Sequence, residues 1–143
     1  MRKQPFTVLV DSSEKTPWSF PSEHKVVRSN LRKYGADYTV RGQSGIIGVE
    51  RKAWQDYILC LGKEWQRFQK SLRKLATNRF RCVIVEGLVD DKILHSRMKL
   101  GALLARTSFI MTRRIPVLFC GNAWQAQNAC MHFFNESIRR TRL

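Results

Sequence analysis

Asp37-Tyr38-Thr39-Val40, the glycine-containing connection Arg41-Gly42-Gln43-Ser44-Gly45, and Gly48-Val49-Glu50-Arg51-Lys52-Ala53-Trp54-Gln55-Asp56 are the stretch around which the chain is organised. Two β-branched and aromatic runs joined by a glycine-rich segment predict a hairpin that brings Asp37 beside Glu50 and Lys52. Side chains alternate along a strand, so Glu50 and Lys52 share one face while Val49 and Arg51 take the other. Two carboxylates and an ammonium thus converge on one surface. Paired carboxylates suit a hard divalent cation, which takes oxygen ligands and keeps several waters. A lysine beside them offsets charge developing on a phosphoryl group. The chemistry that this trio suits is metal-assisted cleavage of a phosphodiester, although Glu-Arg-Lys alone is also a common solvated strand end.

The chain of 143 residues carries 26 Lys plus Arg against 11 Asp plus Glu, a formal net charge of +15. So large an excess points to a polyanionic partner, with nucleic acid ahead of an anionic membrane surface. Hydrophobic residues make up 43%, enough for a globular core, and the length fits a single domain over residues 1–143. No apolar run approaches the length of a membrane span. The apolar segment Phe6 to Val10 is too short for a signal peptide and stops at Asp11, so an intracellular protein is expected, cytoplasmic, nucleoid-associated or nuclear. Cys60, Cys82, Cys120 and Cys130 are widely spaced and read as reduced thiols. Cys130-x-His132 lacks the second ligand pair of a zinc site.

Working outward from the hairpin, Phe6 to Val10 reads as a buried strand with Asp11 at its carboxyl end, where open α/β sheets place their chemistry. Ser22 and Glu23 predict a helix start, an apolar stripe runs through Val26, Val27, Leu31 and Tyr34, and Gly35 is a suitable stop. Ala53 to Thr77 reads as helix with an interruption near Gly62, its aromatics at core spacing. Arg79 to Val85 and Ile115 to Cys120 read as strands, with Glu86 at a carboxyl end; Leu88 to Arg97 reads as a short helix plus loop and Lys99 to Thr112 as a helix. A last helix starts at the cap Asn122 and packs Ala126, Ala129, Cys130, Phe133 and Phe134 inward; Arg139 to Arg142 form a basic, frayed tail open to phosphate contact. The alternation of strands and helices predicts an α/β fold.

The pattern Asp37-x(12)-Glu50-Arg51-Lys52-x(3)-Asp56 resembles the signature of the XPF-type structure-specific endonucleases, Gly-Asp, a variable gap, then Glu-Arg-Lys-x(3)-Asp, and the similarity extends over nearly the whole chain. Asp11 and Glu14 match the family's Asp-x-Arg-Glu, with Ser13 in place of its arginine; Ala36 stands where the family has glycine. The resemblance implies a restriction-endonuclease-like core, a central mixed sheet flanked by helices. It implies catalysis by Asp37, Glu50, Lys52 and Asp56, with Asp56 orienting Lys52 or a bound water. It implies Mg²⁺ or Mn²⁺ held by Asp37 and Glu50 with Asp11 and Glu14. Arg67 matches a family arginine near the scissile phosphate, and Arg51, Arg113 and Arg114 are expected to join it in holding DNA. Family enzymes act as dimers and carry a tandem helix-hairpin-helix module that this sequence does not include. A homodimeric nuclease for branched, flap or junction DNA is therefore the expectation. The competing expectations are a catalytically silent subunit of the same fold that docks on DNA or pairs with an active partner, and an RNA-binding module. Intact Glu50-Arg51-Lys52 and Asp56 speak against the silent subunit, and aromatics confined to helical core positions speak against the RNA module.

Overall fold

Six short runs rich in β-branched residues pair into one twisted sheet, and a computed structural model describes it through residues 5–90 and 98–142. The strands are β1 (Val8–Asp11), β2 (Val26–Ser29), β3 (Tyr38–Val40), β4 (Ile47–Ala53), β5 (Phe80–Glu86) and β6 (Val117–Cys120). Their order in the sheet is β2-β1-β3-β4-β5-β6. Only β3 runs against its neighbours; β1–β2, β4–β5 and β5–β6 are parallel pairs. Five strands therefore present their carboxyl ends on one side, and β3 begins there. That side collects Asp11, Asp37, Glu50, Lys52 and Glu86.

Helices α1 (Trp54–Leu61), α2 (Trp65–Leu75) and α3 (Leu100–Thr112) cover one face, and α4 (Ala123–Thr141) covers the other. Val83 and Val85 of β5 pack against Tyr57, Leu61, Phe68 and Leu103 on the first face. Cys82 and Ile84 of the same strand pack against Ala126, Cys130 and Phe134 on the second. A strand buried on both faces reads as a continuous apolar run, and Cys-Val-Ile-Val is one. All four cysteines are buried and free. No helix among the described residues is long and apolar enough to cross a membrane.

Most elements fall where the sequence places them. The long helical run divides at Gly62 into α1 and α2. Asn122 caps α4 by accepting from the Gln125 N–H at 2.9 Å. Two expectations are corrected. The predicted helix through Val26 and Tyr34 is instead the four-residue edge strand β2 followed by a 3₁₀ turn over Arg32–Tyr34. Its apolar residues fit helical spacing, but Val26 and Val27 are a β-branched pair that the edge of β1 captures. Gly35 still ends the turn, at φ +66 with its N–H on the Arg32 carbonyl. The tail is not frayed, since α4 continues through Arg139 and Arg140 to Thr141. Of the short helix and loop expected over Leu88 to Arg97, residues 88–90 are coil, and residues 91–97 lie outside the described residues.

Candidate active site

The pairing of β3 with β4 sets Tyr38 opposite Val49, which leaves Asp37, one residue earlier, at the mouth of the pair. Its N–H donates to the Val49 carbonyl at 2.8 Å, and its Oδ2 accepts from the Arg51 N–H at 2.8 Å. Backbone on both sides therefore fixes the Asp37 carboxylate next to Glu50. Strand alternation then sends Glu50 and Lys52 toward α2. Lys52 Nζ lies 3.3 Å from Glu50 Oε1 and 5.5 Å from the Phe68 ring centroid.

Burial dominates the electrostatics of this pair. It pushes the Asp37 carboxyl well above the usual carboxylate range, and the nearby charges of Glu50 and Glu14 push it further. Glu50 is raised by burial as well, although Lys52 and a hydrogen bond with Asp37 hold it back. Burial works against a charged Lys52, but the carboxylates of Glu50 and Asp37 outweigh it and keep the ammonium protonated. Two buried carboxyls within hydrogen-bonding reach, both reluctant to ionise, compete for one positive charge. A proton answers that demand; so does a divalent cation.

Arg51 points the other way. Its Nε donates to Glu86 Oε1, and its Nη1 donates to Tyr38 Oη at 3.1 Å and to the Thr16 carbonyl at 2.8 Å. The guanidinium also lies 4.7 Å from the Trp18 ring centroid and 3.4 Å from Glu14 Oε2. Trp18 Nε1 donates to the same Glu86 oxygen at 2.6 Å. The expectation of a DNA-holding Arg51 is thus corrected: its Nε and Nη1 are engaged in pinning the Thr16–Trp18 loop to the back of the sheet. Glu86 belongs to that brace as well.

The remaining expected residues divide. Asp11 lines the same cavity as Asp37 and Glu50, but its oxygens accept from the Leu31 N–H at 2.8 Å, the Ser13 N–H at 3.1 Å and the Ser13 hydroxyl. Burial raises its pKa, yet those bonds win and lower it. Glu14 accepts from Tyr38 Oη at 3.3 Å and neighbours Arg51. Both Asp11 oxygens and Glu14 Oε2 are engaged within the protein, and the four-carboxylate set expected for the metal is not assembled. Among the described residues no group of three or more His, Cys, Asp or Glu is arranged to hold a metal ion. Two carboxylates suffice for Mg²⁺, which keeps waters and borrows phosphate oxygens; the mutually repelling Asp37 and Glu50 fit such an ion. Asp56 is exposed in the first turn of α1 and does not line the cavity, so its orienting role on Lys52 is not realised. Arg67 does line it. Arg113 and Arg114 follow α3 ahead of β6, and Arg81, opposite Gly48 at the start of β4, donates to the Arg114 carbonyl. They stand at the amino ends of the strands, away from the acids. Ala36 is buried in the core.

Sequence reasoning missed Tyr38, whose fully buried hydroxyl joins Trp18, Arg51 and Glu14. It also missed Arg32, Lys70 and Lys74, which line the cavity of about 770 Å³ in front of Glu50. The signal was present for two of them: Lys70 and Lys74 fall three and seven residues after Arg67 on one helix face.

The architecture matches solved structures. XPF from Aeropyrum pernix in complex with DNA superposes with a TM-score of 0.73 and 22% identity, covering 94% of this chain and 66% of that one. This chain has the XPF nuclease fold. A second structure of XPF from Aeropyrum pernix gives a TM-score of 0.69, again at 22% identity, over 94% of this chain and 61% of the other. The chain thus spans less than two thirds of either XPF chain. No protein-family model matches the sequence, and no curated protein resembles it.

Proposed function

We propose that this chain is a metal-dependent DNA endonuclease that hydrolyses phosphodiesters in branched, flap or junction DNA. The observation that carries this proposal is the buried Asp37–Glu50 pair with Lys52 at 3.3 Å, opening on a cation-lined cavity at the carboxyl edge of an XPF-type sheet. Asp37 and Glu50 would hold Mg²⁺ or Mn²⁺, and the bound ion would supply polarisation of the scissile phosphate and a more acidic water. Lys52, kept charged by its two carboxylate neighbours, neutralises charge building on the phosphoryl oxygens. Asp37, fixed by the Arg51 and Val49 backbone, holds its carboxylate in place without reorganising, and Glu50 orients Lys52. The Arg51 brace behind β4 keeps the strand from shifting register. Arg67 supplies a phosphate contact at the mouth. The net charge of +15 supports a polyanionic substrate.

A homodimer is part of this proposal, because Leu104 and Met111 of α3, Leu118 of the edge strand β6 and Trp124 at the start of α4 are large apolar side chains left exposed. Sedimentation of the purified protein tests it, and a monomer at micromolar concentration contradicts it.

One observation favours a second function, a silent subunit that docks on DNA. Asp11 and Glu14 are tied within the protein rather than turned to a cation. Incubation with labelled duplex, flap, fork and four-way-junction DNA in Mg²⁺, Mn²⁺ or EDTA separates the two. Metal-dependent cutting that Lys52→Ala abolishes supports the nuclease; binding of branched DNA without any cutting supports the silent subunit.

A further inference from the structure

In front of the acidic pair the cavity does not end. The space lined by Asp37, Glu50, Arg32, Arg67, Lys70 and Lys74 has a volume of about 770 Å³. A second space of about 500 Å³ is lined by Asn30, Arg32, Lys33 and Lys74. Asn30, Arg32 and Lys74 belong to both, so the two form one continuous trough. Its walls are the 3₁₀ turn on one side and a single face of α2 on the other, where Arg67, Lys70, Ser71 and Lys74 follow helical spacing. Arg32, Lys70 and Lys74 are exposed and have no acidic partner among the described residues; Arg67 only approaches Glu64, at 3.9 Å. The carboxylates lie at one end and the cations extend away from it.

The walls are held at a fixed separation. A Cβ on Gly35 would lie 2.5 Å from the Leu75 backbone nitrogen and 2.7 Å from Lys74 Cβ, so only glycine lets the turn close on α2. Asn78 Nδ2 donates to the Tyr34 carbonyl and to the Leu75 carbonyl, both at 2.9 Å, stitching the turn to the end of α2. Lys74 and Arg32 thereby face each other across a gap that is built in rather than adjustable. No aromatic ring lines either space, which removes the stacking platforms that hold bases. Spaces of about 770 and 500 Å³ have room for a few nucleotides of one phosphodiester strand and not for the full cross-section of a duplex.

We propose that this trough binds one unpaired nucleic-acid strand by its phosphates alone, with Arg32, Lys70 and Lys74 as the contacts beyond the reacting phosphate and without regard to base sequence. The unpaired arm of a flap or fork lies between the 3₁₀ turn and α2, and its phosphodiester chain is drawn toward Asp37 and Glu50. This rests on the nuclease function above for its meaning, but not for its measurement.

The test is equilibrium binding of fluorescent oligothymidylate and of a blunt duplex of equal charge, in EDTA, over a range of salt. The parent is compared with Lys70→Ala/Lys74→Ala, with Lys70→Arg/Lys74→Arg, and with Lys25→Ala/Arg41→Ala. The last pair removes the same charge from exposed residues at the opposite end of β2 and β3. Single-strand slopes change by roughly 0.7 per phosphate contact, so the trough pair should weaken oligothymidylate binding roughly 25-fold at 0.1 M salt and flatten the slope by about 1.4. The arginine pair should restore both, and the distal pair should leave the slope within error of the parent. Equal losses from the trough and distal pairs would reduce the effect to net charge and overturn the proposal. So would a trough-pair loss confined to the duplex. Thermal unfolding of each variant confirms that the surface substitutions leave the fold intact. Because no metal is present, trough binding that persists in a protein unable to cut would refute the nuclease function alone. Cutting by a protein whose trough pair binds like the parent would refute the trough alone.

Discussion

Asp37 and Asp11 show how the same residue type is put to opposite uses by its neighbours. Asp11 has three hydrogen-bond donors and is lowered; Asp37 has one backbone donor, a carboxylate beside it and little water, and is raised. A carboxyl raised in the folded state favours folding while protonated, and that contribution fades as pH climbs from the ordinary carboxylate range through the folded value. The metal-free parent should therefore lose stability as pH rises through that window, and Asp37→Asn, which keeps the acceptor for the Arg51 N–H, should flatten the profile and raise the neutral-pH Tm. Mg²⁺ should raise the Tm of the parent and leave that of Asp37→Asn nearly unmoved, as binding to the folded state alone requires. Scanning calorimetry from pH 4 to 8 with and without Mg²⁺ reads both; an Asp37→Asn protein less stable than the parent at pH 7 would contradict the account. Arg51 and Lys52 divide in a complementary way. Arg51→Ala strands the half-buried Glu86 and unpins Trp18, costing about 3 kcal/mol, and Arg51→Lys should recover little because one ammonium cannot serve the forked geometry. Lys52→Ala should cost less stability and far more activity. Urea unfolding beside a cleavage assay separates the pair.

Among the elements, the 3₁₀ turn before Gly35 carries the heaviest constraint. Gly35 combines φ +66 with a backbone contact that leaves no room for a methyl group. Gly35→Ala should cost about 2 kcal/mol or more from the left-handed backbone and the displaced α2 together. Gly42→Ala provides the comparison: its φ is +85 but nothing lies near its Cβ position, so only the backbone cost applies. Similar denaturation midpoints for the two variants would show that the turn does not press on α2. The contrast also explains what the sequence made legible. The β3–β4 hairpin, the break at Gly62 and the Asn122 cap each rest on local chemistry that a few adjacent residues declare. Edge strand β2 does not: four residues whose spacing also suits a helix become a strand only because β1 offers a free edge, a decision made by tertiary pairing. The fate of Asp11 was partly hidden for the same reason, since Leu31 reaches it through that pairing, whereas Ser13 reaches it locally.

For the molecule as a whole, strand direction does the sorting. Five strands ending on one side gather the carboxylates there, and the same polarity carries Arg113 and Arg114 to the far end, although along the chain they are merely two more arginines in a chain of +15. Charge alone therefore points to a partner class and not to the place where it would sit. Glu50 and Lys52 could be placed together from alternation, and Asp37 beside them from the hairpin; the trough could not, because its two walls come from segments separated by more than thirty residues. Retention of DNA should fall steeply with salt, with a slope of roughly −0.9 for each duplex phosphate neutralised, and a slope near zero in a filter-binding titration would remove nucleic acid as the partner. The most direct measurement is cleavage of a labelled flap or fork by the parent and by Asp37→Asn, in Mg²⁺ and in EDTA. Metal-dependent cutting by the parent and none by the variant is expected, even though the variant is folded and binds the substrate. Cutting by Asp37→Asn at the parent's rate, or by the parent in EDTA, would contradict it.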